Sequence, residues 1–457
     1  MRHSCWRFNV QSWTKNRQLR SVAFLEFVYF LWAASEVLPS ASFSNSIWNE
    51  ICIEKATTSR QERSRFTYFS QLAFSKLLKG PNVSLNSLLR IVVAWGLGIA
   101  TIHSDSFAQE QPRSSPFDSV VKSGLNYLAK EGQDASGMFS PSAGPGVTAL
   151  AITAALRLGR AVDDPMVAKG LKAMEGFVKP DGGIYGNSRL MNYETCVGVM
   201  CFAEANRVAK DNRYKKILDD AKNFLVTMQY GGSTGDDIND PAYGGAGYGG
   251  KGRPDLSNTA YLLEALRSLD APSVDPAIQR AIGFISRCQN LSSPHNPSPL
   301  ASKVNDGGFY YVIPTEKDIE SGSQDANASG GLRSYGSMTY SGLKSMIYAG
   351  LQPDDIRVKA ASDWIAKNYS VTENPGMADA GLYYYYHTFA AAFKALEHDT
   401  VIDPIGNTHD WRTDLVEHLA KTQQENGSWQ NTNQRWFESD PNLATTFALL
   451  ALSHCQK

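Results

Sequence analysis

Several features are scarce in this sequence, and each scarcity excludes a class of protein. Its six cysteines include no Cys-x-x-Cys pair and no Cys/His spacing typical of a zinc site. The uncharged run Ile91–Ile102 has 12 residues, whereas a membrane-spanning helix needs about 20. Basic residues do not exceed acidic ones, 44 against 45, and no nucleic-acid-binding motif occurs. We therefore expect no metal, no cofactor and no nucleic-acid partner.

The first 108 residues differ from the rest in charge, with 12 Lys and Arg against 6 Asp and Glu. Arg90, the apolar run Ile91–Ile102 and the small residues of Ser106-Phe107-Ala108 together are typical of a secretory signal. We expect residues 81–108 to be a signal peptide cleaved after Ala108 and residues 109–116 to be a linker. Residues 1–80 are interpreted as an extension outside the fold, produced by a start codon assigned too far upstream. The protein is then extracytoplasmic, periplasmic or secreted, and meets a membrane only through an uncleaved signal.

Four cysteines remain after residue 108, at positions 196, 201, 288 and 455. An exported protein meets an oxidising compartment, so pairing is chemically available. However, Cys196 and Cys201 are five residues apart on a predicted helix, roughly 140° around its axis, and both have apolar neighbours. We predict that all four are buried, unpaired hydrophobic side chains.

Residues 117–457 contain six repeats. Each repeat has a helix with an aromatic or histidine residue followed by an aliphatic one, and in three repeats a glutamine stands four residues later. A glycine-aromatic turn then leads to a second helix. The pairs are Tyr127-Leu128, Phe177-Val178, Phe224-Leu225, Phe284-Ile285, Trp364-Ile365 and His418-Leu419, the glutamines are Gln229, Gln289 and Gln423, and the turns begin at Gly137, Gly183, Gly308, Gly381 and Gly427, with a looser Gly247-Tyr248 in the third repeat.

The two helices of each repeat differ in polarity. The first helix is charged on one face, as in residues 355–368, where Ile356, Ala360, Trp364 and Ile365 are left for burial. The second is apolar on all sides, as in residues 147–156 and 443–452, which carry no charge. Because a helix that is apolar on every side must be enclosed, the pattern predicts an outer set of helices around an inner set. We predict an all-α protein, an α/α toroid of six helical hairpins.

The segment Leu419-x3-Gln423-x3-Gly427-Ser-Trp429 resembles the QW repeat of squalene and oxidosqualene cyclases. Residues 117–455 as a whole resemble the prenyltransferase/squalene-cyclase repeat superfamily, which implies a terpenoid cyclase-like toroid in which the glutamine ties neighbouring repeats together. The Asp-x-Asp-Asp acid of the squalene cyclases is absent. His387 matches a zinc ligand of the protein prenyltransferases, but Tyr335 and Ser337 stand where the other two ligands, Asp and Cys, belong.

Candidate site residues lie near the starts of the inner helices. Glu194 and His387 are the candidate catalytic residues, with Glu194 as a general acid if burial raises its pKa. An acidic loop, Asp236, Asp237 and Asp240, is more typical of a solvated loop than of a Ca²⁺ site. The residues expected to line a central cavity for an apolar ligand are Tyr193, Asn258, Tyr261, Tyr335, Tyr340, Tyr386, Asn442 and Thr445.

Four functions fit these residues. The first is an exported protein that binds an apolar, isoprenoid-like ligand without a recognised catalytic motif. The second is a terpenoid cyclase-like enzyme with a non-standard acid, Glu194, and the third is a polysaccharide lyase or hydrolase in which Glu194 pairs with Asp255. The fourth is a scaffold that binds another protein through long loops such as residues 291–332. Whether the protein is an enzyme stays open at this point.

Overall fold

The computed structural model describes residues 116–186, 188–232, 237–250, 252–314 and 330–456. They belong to a compact unit that begins at Gln111. The predicted extension and signal peptide, residues 1–108, and residues 109–115 of the predicted linker lie outside the described residues. Pro116, the last residue of the predicted linker, is instead the first residue of a helix. Among the described residues, the helices are all too short or too polar to cross a bilayer.

The described part of the chain is mostly helical, as the polarity pattern predicts. A two-stranded antiparallel hairpin, β1 (Thr400–Ile402) and β2 (Thr408–Asp410), was not predicted and pairs Val401 with His409. The α-helices are α1 (Pro116–Tyr127), α2 (Pro145–Arg157), α3 (Pro165–Glu175), α4 (Met191–Ala209), α5 (Lys215–Met228), α6 (Leu256–Ser268), α7 (Pro276–Arg287), α8 (Pro299–Val304), α9 (Gly336–Tyr348), α10 (Ile356–Lys367), α11 (Leu382–Leu396), α12 (Trp411–Thr422) and α13 (Pro441–His454).

Six of these helices, α2, α4, α6, α9, α11 and α13, are buried over most of their length, and we call them the inner helices. Each packs on the next in that order, and α13 packs back on α2, so their contacts form a closed cycle. Helices α3, α5, α7, α10 and α12 each pack on the inner helix before them, and α1 packs on α13 and α12. The first and the last of these helices, α1 and α13, are therefore in contact.

The outer helices bury one face each. In α10, the buried residues are Val358, Ala361, Trp364 and Ile365. Ile356, which the sequence analysis assigned to this face, is 54 % exposed because it is the first residue of the helix, before the buried face begins. Ala360 is half-buried, and Val358 and Ala361 are buried in addition, whereas the predicted burial of Trp364 and Ile365 agrees with the structure.

Helix starts follow the expected capping chemistry. Asp164, Asp275 and Asp440 each precede a proline and accept hydrogen bonds from backbone N–H groups of the first turn of α3, α7 and α13. A carboxylate at this position satisfies donors that have no partner within the helix, and proline fits the first position because its missing N–H is not needed there. The three Asp-Pro pairs therefore set the starts of α3, α7 and α13.

The three predicted glutamines each join a glycine turn to the next outer helix. The Nε2 group of Gln229 donates to the carbonyl oxygens of Gly244 and of Ala277 in α7, both at 2.9 Å. Gln289 makes the same pair of bonds, to its own turn and to α10. Gln423 donates to the Gly427 carbonyl at 2.9 Å and to a carbonyl of α1 at 3.0 Å, so it links the last repeat to the first.

A fourth glutamine of this kind was missed by the sequence analysis. Gln133 donates to the carbonyl oxygens of Gly137 at 3.1 Å and of Met166 in α3 at 2.9 Å. It stands five residues after Leu128 rather than four, because the π-helical segment Leu128–Gly132 adds one residue to the turn. A search for glutamine exactly four residues after the aliphatic residue therefore does not find Gln133.

The turn of the third repeat lies at Gly244, not at the predicted Gly247-Tyr248. Gly244 has φ +85°, and a Cβ atom there would collide with the carbonyl oxygen of Arg280 in α7. Gly427 has the same left-handed backbone, and a Cβ atom would collide with the Ser123 carbonyl of α1. Only glycine permits this combination of positive φ and close backbone approach. Gly247 and Tyr248 instead present carbonyl oxygens to Asn192 and Tyr193 at the start of α4.

The four cysteines at positions 196, 201, 288 and 455 are buried and unpaired, as predicted. Burial raises the pKa of the Cys201 and Cys455 thiols to about 12. These thiols therefore stay protonated and behave as small apolar side chains.

Candidate functional site

Tyrosines from three inner helices meet near the N-terminal ends of those helices. The ring centroids of Tyr193 (α4) and Tyr261 (α6) are 5.3 Å apart, and those of Tyr261 and Tyr384 (α11) are 6.2 Å apart. Tyr248, in the loop before α6, packs on Tyr193 at 6.2 Å and is 41 % exposed. We call Tyr193, Tyr248, Tyr261 and Tyr384 the aromatic mouth. The predicted cavity residues Tyr193 and Tyr261 are thus brought together by the fold.

The aromatic mouth offers hydroxyl groups as well as ring faces. The Tyr384 hydroxyl lies 2.8 Å from the Ser257 hydroxyl of α6, a hydrogen bond between non-adjacent inner helices. The Tyr261 hydroxyl is buried and has no hydrogen-bond partner among the described residues. Burial raises the pKa of Tyr193 and of Tyr261 far above that of an exposed tyrosine. Both hydroxyls therefore remain protonated at neutral pH and are able to donate a hydrogen bond.

Asp255 lies at the start of α6, beside the mouth. Its carboxylate accepts hydrogen bonds from the backbone N–H of Asn258 at 2.8 Å and from the Asn258 side-chain amide at 2.7 Å. Burial raises the pKa of Asp255 to about 6, against the opposing effect of these bonds and of the Tyr311 hydroxyl. The amide nitrogen of Asn258, a predicted lining residue, is thereby committed to the cap of α6.

Glu194 is fully buried in the first turn of α4. Its Oε2 atom accepts a hydrogen bond from the backbone N–H of Gly186 at 2.8 Å, and its Oε1 atom packs against Gly144. The carboxylate therefore fixes the turn that leads into α4 and also contacts the residue that precedes α2. This backbone role accounts for its burial without assigning it an acid function.

Tyr340 and Tyr386 point away from the mouth. Tyr340 packs among Tyr385, Phe389 and Phe393, and the Tyr386 hydroxyl lies 2.9 Å from Nε2 of His418 on the outer helix α12. Residues two apart on a helix are about 200° apart, so Tyr384 and Tyr386 face opposite sides of α11. Both tyrosines fill the layer between inner and outer helices, which corrects their assignment as cavity residues.

Three further predicted lining residues also have structural surroundings. Tyr335 is buried at the N-cap of α9. The Asn442 amide donates to the Ser140 hydroxyl at 3.0 Å. The Thr445 hydroxyl accepts a hydrogen bond from the backbone N–H of Trp429 at 2.9 Å. The same bond recurs from the turn to an inner-helix threonine in four other hairpins, at Thr148, Thr195, Thr259 and Thr339.

The acidic loop gives no support to a Ca²⁺ site. Asp237 and Asp240 are exposed and accept hydrogen bonds from the nearby backbone N–H groups of Asn239 and Ala242. Asp236 lies outside the described residues. In the part of the chain that the structure describes, no three His, Cys, Asp or Glu side chains are grouped to hold a metal ion.

A zinc site of the prenyltransferase kind does not fit the residues around His387 either. The Ser337 hydroxyl, at the position of the thiolate ligand, accepts a hydrogen bond from the Asn374 amide at 3.2 Å. A hydroxyl in that role is a poor substitute for a thiolate. Tyr335, at the position of the aspartate, offers no carboxylate.

The inner helices also enclose a set of ionisable side chains, of which only His387 was a predicted site residue. Lys344 of α9 forms an ion pair with Glu264 of α6, and their side chains are only 4 % and 7 % exposed. His387, Arg157 and His454 lie close to this pair, and we call these five residues the central charged cluster. Glu264 and Lys344 interrupt otherwise apolar helices, and Glu264 stands at positions i+3 and i+7 from Tyr261 and Ser257. That spacing on one helix face was the available signal.

His387 is the most enclosed member of this cluster, with 1 % of its surface exposed. Neither ring nitrogen has a hydrogen-bond partner among the described residues, and the ring stacks on Phe447 with centroids 5.9 Å apart. Burial, and then the positive charges of Lys344 and Arg157, lower the pKa of His387 far below its usual value. The imidazole is therefore neutral at physiological pH.

The Glu264 carboxylate stays ionised although it is buried. Burial on its own would raise the pKa of Glu264, but the nearby cations Lys344 and Arg157 outweigh burial and lower the pKa below the usual value. His454 is the last residue of α13, and its pKa is lowered by burial and by Arg157 and His387. The cluster thus holds one ion pair, one further cation and two neutral imidazoles.

Comparison with known proteins gives distant structural likenesses. No protein-family model matches this sequence, and no curated protein matches it. An apo structure of the type II terpene cyclase MstE from Scytonema is 13 % identical over 75 % of this chain and 98 % of its own, with a TM-score of 0.46. A family 76 glycoside hydrolase from a bovine Bacteroides thetaiotaomicron strain is 13 % identical over 74 % of this chain and 78 % of its own, with a TM-score of 0.47. At this level of similarity, the function has to be argued from the residues of the chain itself.

Proposed function

We propose that this protein is a small-molecule-binding α/α toroid of six helical hairpins, and that its ligand has an apolar, isoprenoid-like body and a polar end. The observation that carries this proposal is the aromatic mouth, where tyrosines of three inner helices meet. Aromatic ring faces give an apolar ligand a large contact area, and Phe447 extends the aromatic surface below Tyr384, with centroids 5.6 Å apart.

The polar end of the ligand is inferred from the hydroxyl groups of the mouth. The buried Tyr261 hydroxyl has no partner among the described residues, and a buried polar group left unpaired costs about 1–3 kcal/mol. A ligand that accepts a hydrogen bond at this position recovers that free energy. Tyr384 and Ser257, which already share a hydrogen bond, stand at the same level and select for a ligand with a hydroxyl or carbonyl group.

We further propose that the ligand is met outside the cytoplasm, because residues 81–108 have the order of a secretory signal. The test therefore uses protein purified from its native cell envelope. Its organic extract is analysed by mass spectrometry, and we expect one apolar or amphipathic species in a fixed ratio to protein.

The variants decide whether that species occupies the mouth. Tyr384→Ala is expected to lose the bound species, since it removes a ring face and a hydroxyl. Tyr386→Phe, on the opposite face of α11, is the matched control and is expected to retain it. An empty extract from the wild-type protein, or equal retention by both variants, contradicts the proposal.

A second candidate, a polysaccharide-processing enzyme, is favoured by one observation. The raised pKa of Asp255, about 6, suits a carboxyl group that exchanges protons near neutral pH, and aromatic platforms stand beside it. In that case neutral or acidic oligosaccharides raise the melting temperature and are cleaved, and Asp255→Asn abolishes cleavage while Glu194→Gln tests the second carboxylate. Absence of both stabilisation and cleavage removes this candidate.

A further inference from the structure

The central charged cluster contains buried nitrogen atoms that have no hydrogen-bond partner among the described residues. Both ring nitrogens of His387, Nε2 of His454 and Nη1 of Arg157 are buried, and none has a hydrogen-bond partner among the described residues. Buried polar atoms in folded proteins are nearly always paired with protein, water or ligand. Three unpaired groups in one place therefore call for a common partner.

These groups come from neighbouring helices. The inner helices α9, α11, α13 and α2 follow one another in the cycle of contacts, and they supply Lys344, His387, His454 and Arg157 respectively. The rings of His387 and His454 have centroids 6.0 Å apart. All four side chains are able to donate hydrogen bonds, and three of them carry the unpaired atoms.

The acids of this region, Glu264 and Glu204, already have partners. Glu264 of α6 pairs with Lys344, and Glu204 of α4 contacts Arg157 at 3.5 Å and also bonds to Arg207. Neither acid faces the two imidazoles as a hydrogen-bond partner in the described structure. The ring nitrogens of His387, Nε2 of His454 and Nη1 of Arg157 are consequently left without a hydrogen-bond acceptor among the described residues, although Glu204 contacts Arg157 through Nε.

We propose that Arg157, His387 and His454 bind a small oxyanion, a carboxylate or phosphate group, between α2, α11 and α13. Guanidinium and imidazole N–H groups are suited to oxyanions because they supply directed, charge-assisted hydrogen bonds. Arg157 and His454 are the last residues of α2 and α13 and are only partly buried, so the anion enters from the C-terminal end of the inner helices. This site is separate from the aromatic mouth and does not depend on the function proposed for it.

Binding at this site is coupled to protonation. His387 and His454 are held neutral by burial and by the nearby cations Lys344 and Arg157, whereas Glu264 acts in the opposite direction on His454. Tyr348, also near Glu264 and Arg157, remains protonated because burial raises its pKa. An oxyanion favours the charged imidazole, so the affinity for the anion increases as the pH falls.

Isothermal titration calorimetry of the intact protein with sodium acetate and with inorganic phosphate, in a chloride background, tests the proposal. We expect one anion per chain and an affinity at least tenfold higher at pH 6.0 than at pH 7.5. Arg157→Gln weakens binding at least tenfold. Arg213→Gln is the matched control, because Arg213 is exposed and pairs only with Asp211, and it leaves the affinity unchanged. The two salts distinguish a carboxylate site from a phosphate site.

Nuclear magnetic resonance of the ¹³C-labelled histidines makes the test independent of the folding of any variant. The signals of His387 and His454 in the wild-type protein are expected to shift together on titration, whereas that of His418, which bonds to Tyr386, stays in place. If Arg157 and His454 only offset the partial negative charge at the ends of α2 and α13, no saturable binding occurs. That outcome, unchanged histidine signals, or equal affinity in Arg157→Gln overturns the proposal.

Discussion

The aromatic mouth and the central charged cluster lie on the same inner helices but are built differently. At the mouth, Tyr261 and Tyr384 turn one face of α6 and α11 into an aromatic surface with hydroxyl groups. Farther along the same faces, Glu264 and His387 place ionisable groups where little water reaches. One turn along a helix therefore separates a surface suited to an apolar ligand from a set of charges suited to a polar one.

The two regions also respond to pH in opposite directions. Beside the aromatic mouth, the pKa of Asp255 is raised in the folded protein. This carboxyl group therefore binds its proton more tightly in the folded than in the unfolded state. The folded protein holds His387, in the cluster, with a lowered pKa, so this imidazole binds its proton more weakly when folded. Acid therefore stabilises the first region and destabilises the second.

The largest expected effect comes from breaking the ion pair of the cluster. Lys344→Met leaves Glu264 buried without its cation, and we expect a loss of about 3–5 kcal/mol in the free energy of unfolding. Denaturant unfolding measures it. Lys216→Met removes an exposed pair with Asp220 and is expected to leave the free energy of unfolding nearly unchanged, because solvent screens the pair. The double variant Lys344→Met, Glu264→Leu should recover most of the loss, and failure to recover would contradict the role of the unpaired charge.

The second-largest expected effect is the pH dependence of stability caused by Asp255, beside the aromatic mouth. In the wild-type protein, Asp255 makes folding more favourable by about 2 kcal/mol as the pH falls from 6 to 4, because its folded-state pKa of about 6 exceeds the ordinary value of 3.8. This contribution is lost again as the pH rises through 6. Asp255→Asn keeps a capping side chain and should remove this part of the pH dependence. The comparison is made by denaturant unfolding at several pH values, and an unchanged profile would refute the assignment.

His387→Phe tests whether His387 makes the central charged cluster less stable at low pH. An imidazole kept neutral in the folded state costs stability below its unfolded pKa of about 6.5, by up to about 1.4 kcal/mol for each pH unit. The wild-type protein should therefore lose stability as the pH falls from 6.5 to 5.5, and His387→Phe should lose less. Thermal melting at these pH values is the measurement, with His398→Gln as a control because the His398 side chain is exposed. Equal slopes in wild type and His387→Phe would show that this histidine is not the cause.

The smallest expected effect is a difference in stability between variants on the two faces of α11. Tyr386→Phe removes a hydroxyl that bonds to Val371 and His418 in the buried layer, and we expect a loss of about 1 kcal/mol. Tyr384→Phe removes a hydroxyl at the half-buried mouth, where water can replace it, and should cost about 0.5 kcal/mol or less. Denaturant unfolding of both variants tests the difference. A reversed order would mean that Tyr384, not Tyr386, is the buried structural tyrosine.

Much of the helical plan was predictable from local chemistry. Asp164, Asp275 and Asp440 mark helix starts because a carboxylate before a proline caps a helix whatever surrounds it. Gln229, Gln289 and Gln423 were recognised by their spacing, and all three bond to the next outer helix. Gln133 escaped notice because a single added residue in a π-helical turn is invisible to a fixed spacing.

The site was less predictable. Tyr193 and Tyr261 were expected near one another and do meet, but Tyr340 and Tyr386 were assigned to the same place and lie elsewhere. On an inner helix every face is buried, so the hydrophobic pattern does not tell which face turns toward the other inner helices. Thr445 was predicted to line the cavity, but its hydroxyl accepts a hydrogen bond from the backbone N–H of Trp429 in the neighbouring turn.

The sequence by itself determined where helices begin and end and which of them are enclosed, because capping and amphipathicity act within a few residues of the chain. Only the tertiary structure decided that Lys344 meets Glu264, 80 residues away, and that His387 lies beside His454 without a hydrogen-bond partner among the described residues. Such contacts depend on the rotation of each buried helix about its axis. That rotation is set by the packing of six inner helices on one another, which no single stretch of sequence contains.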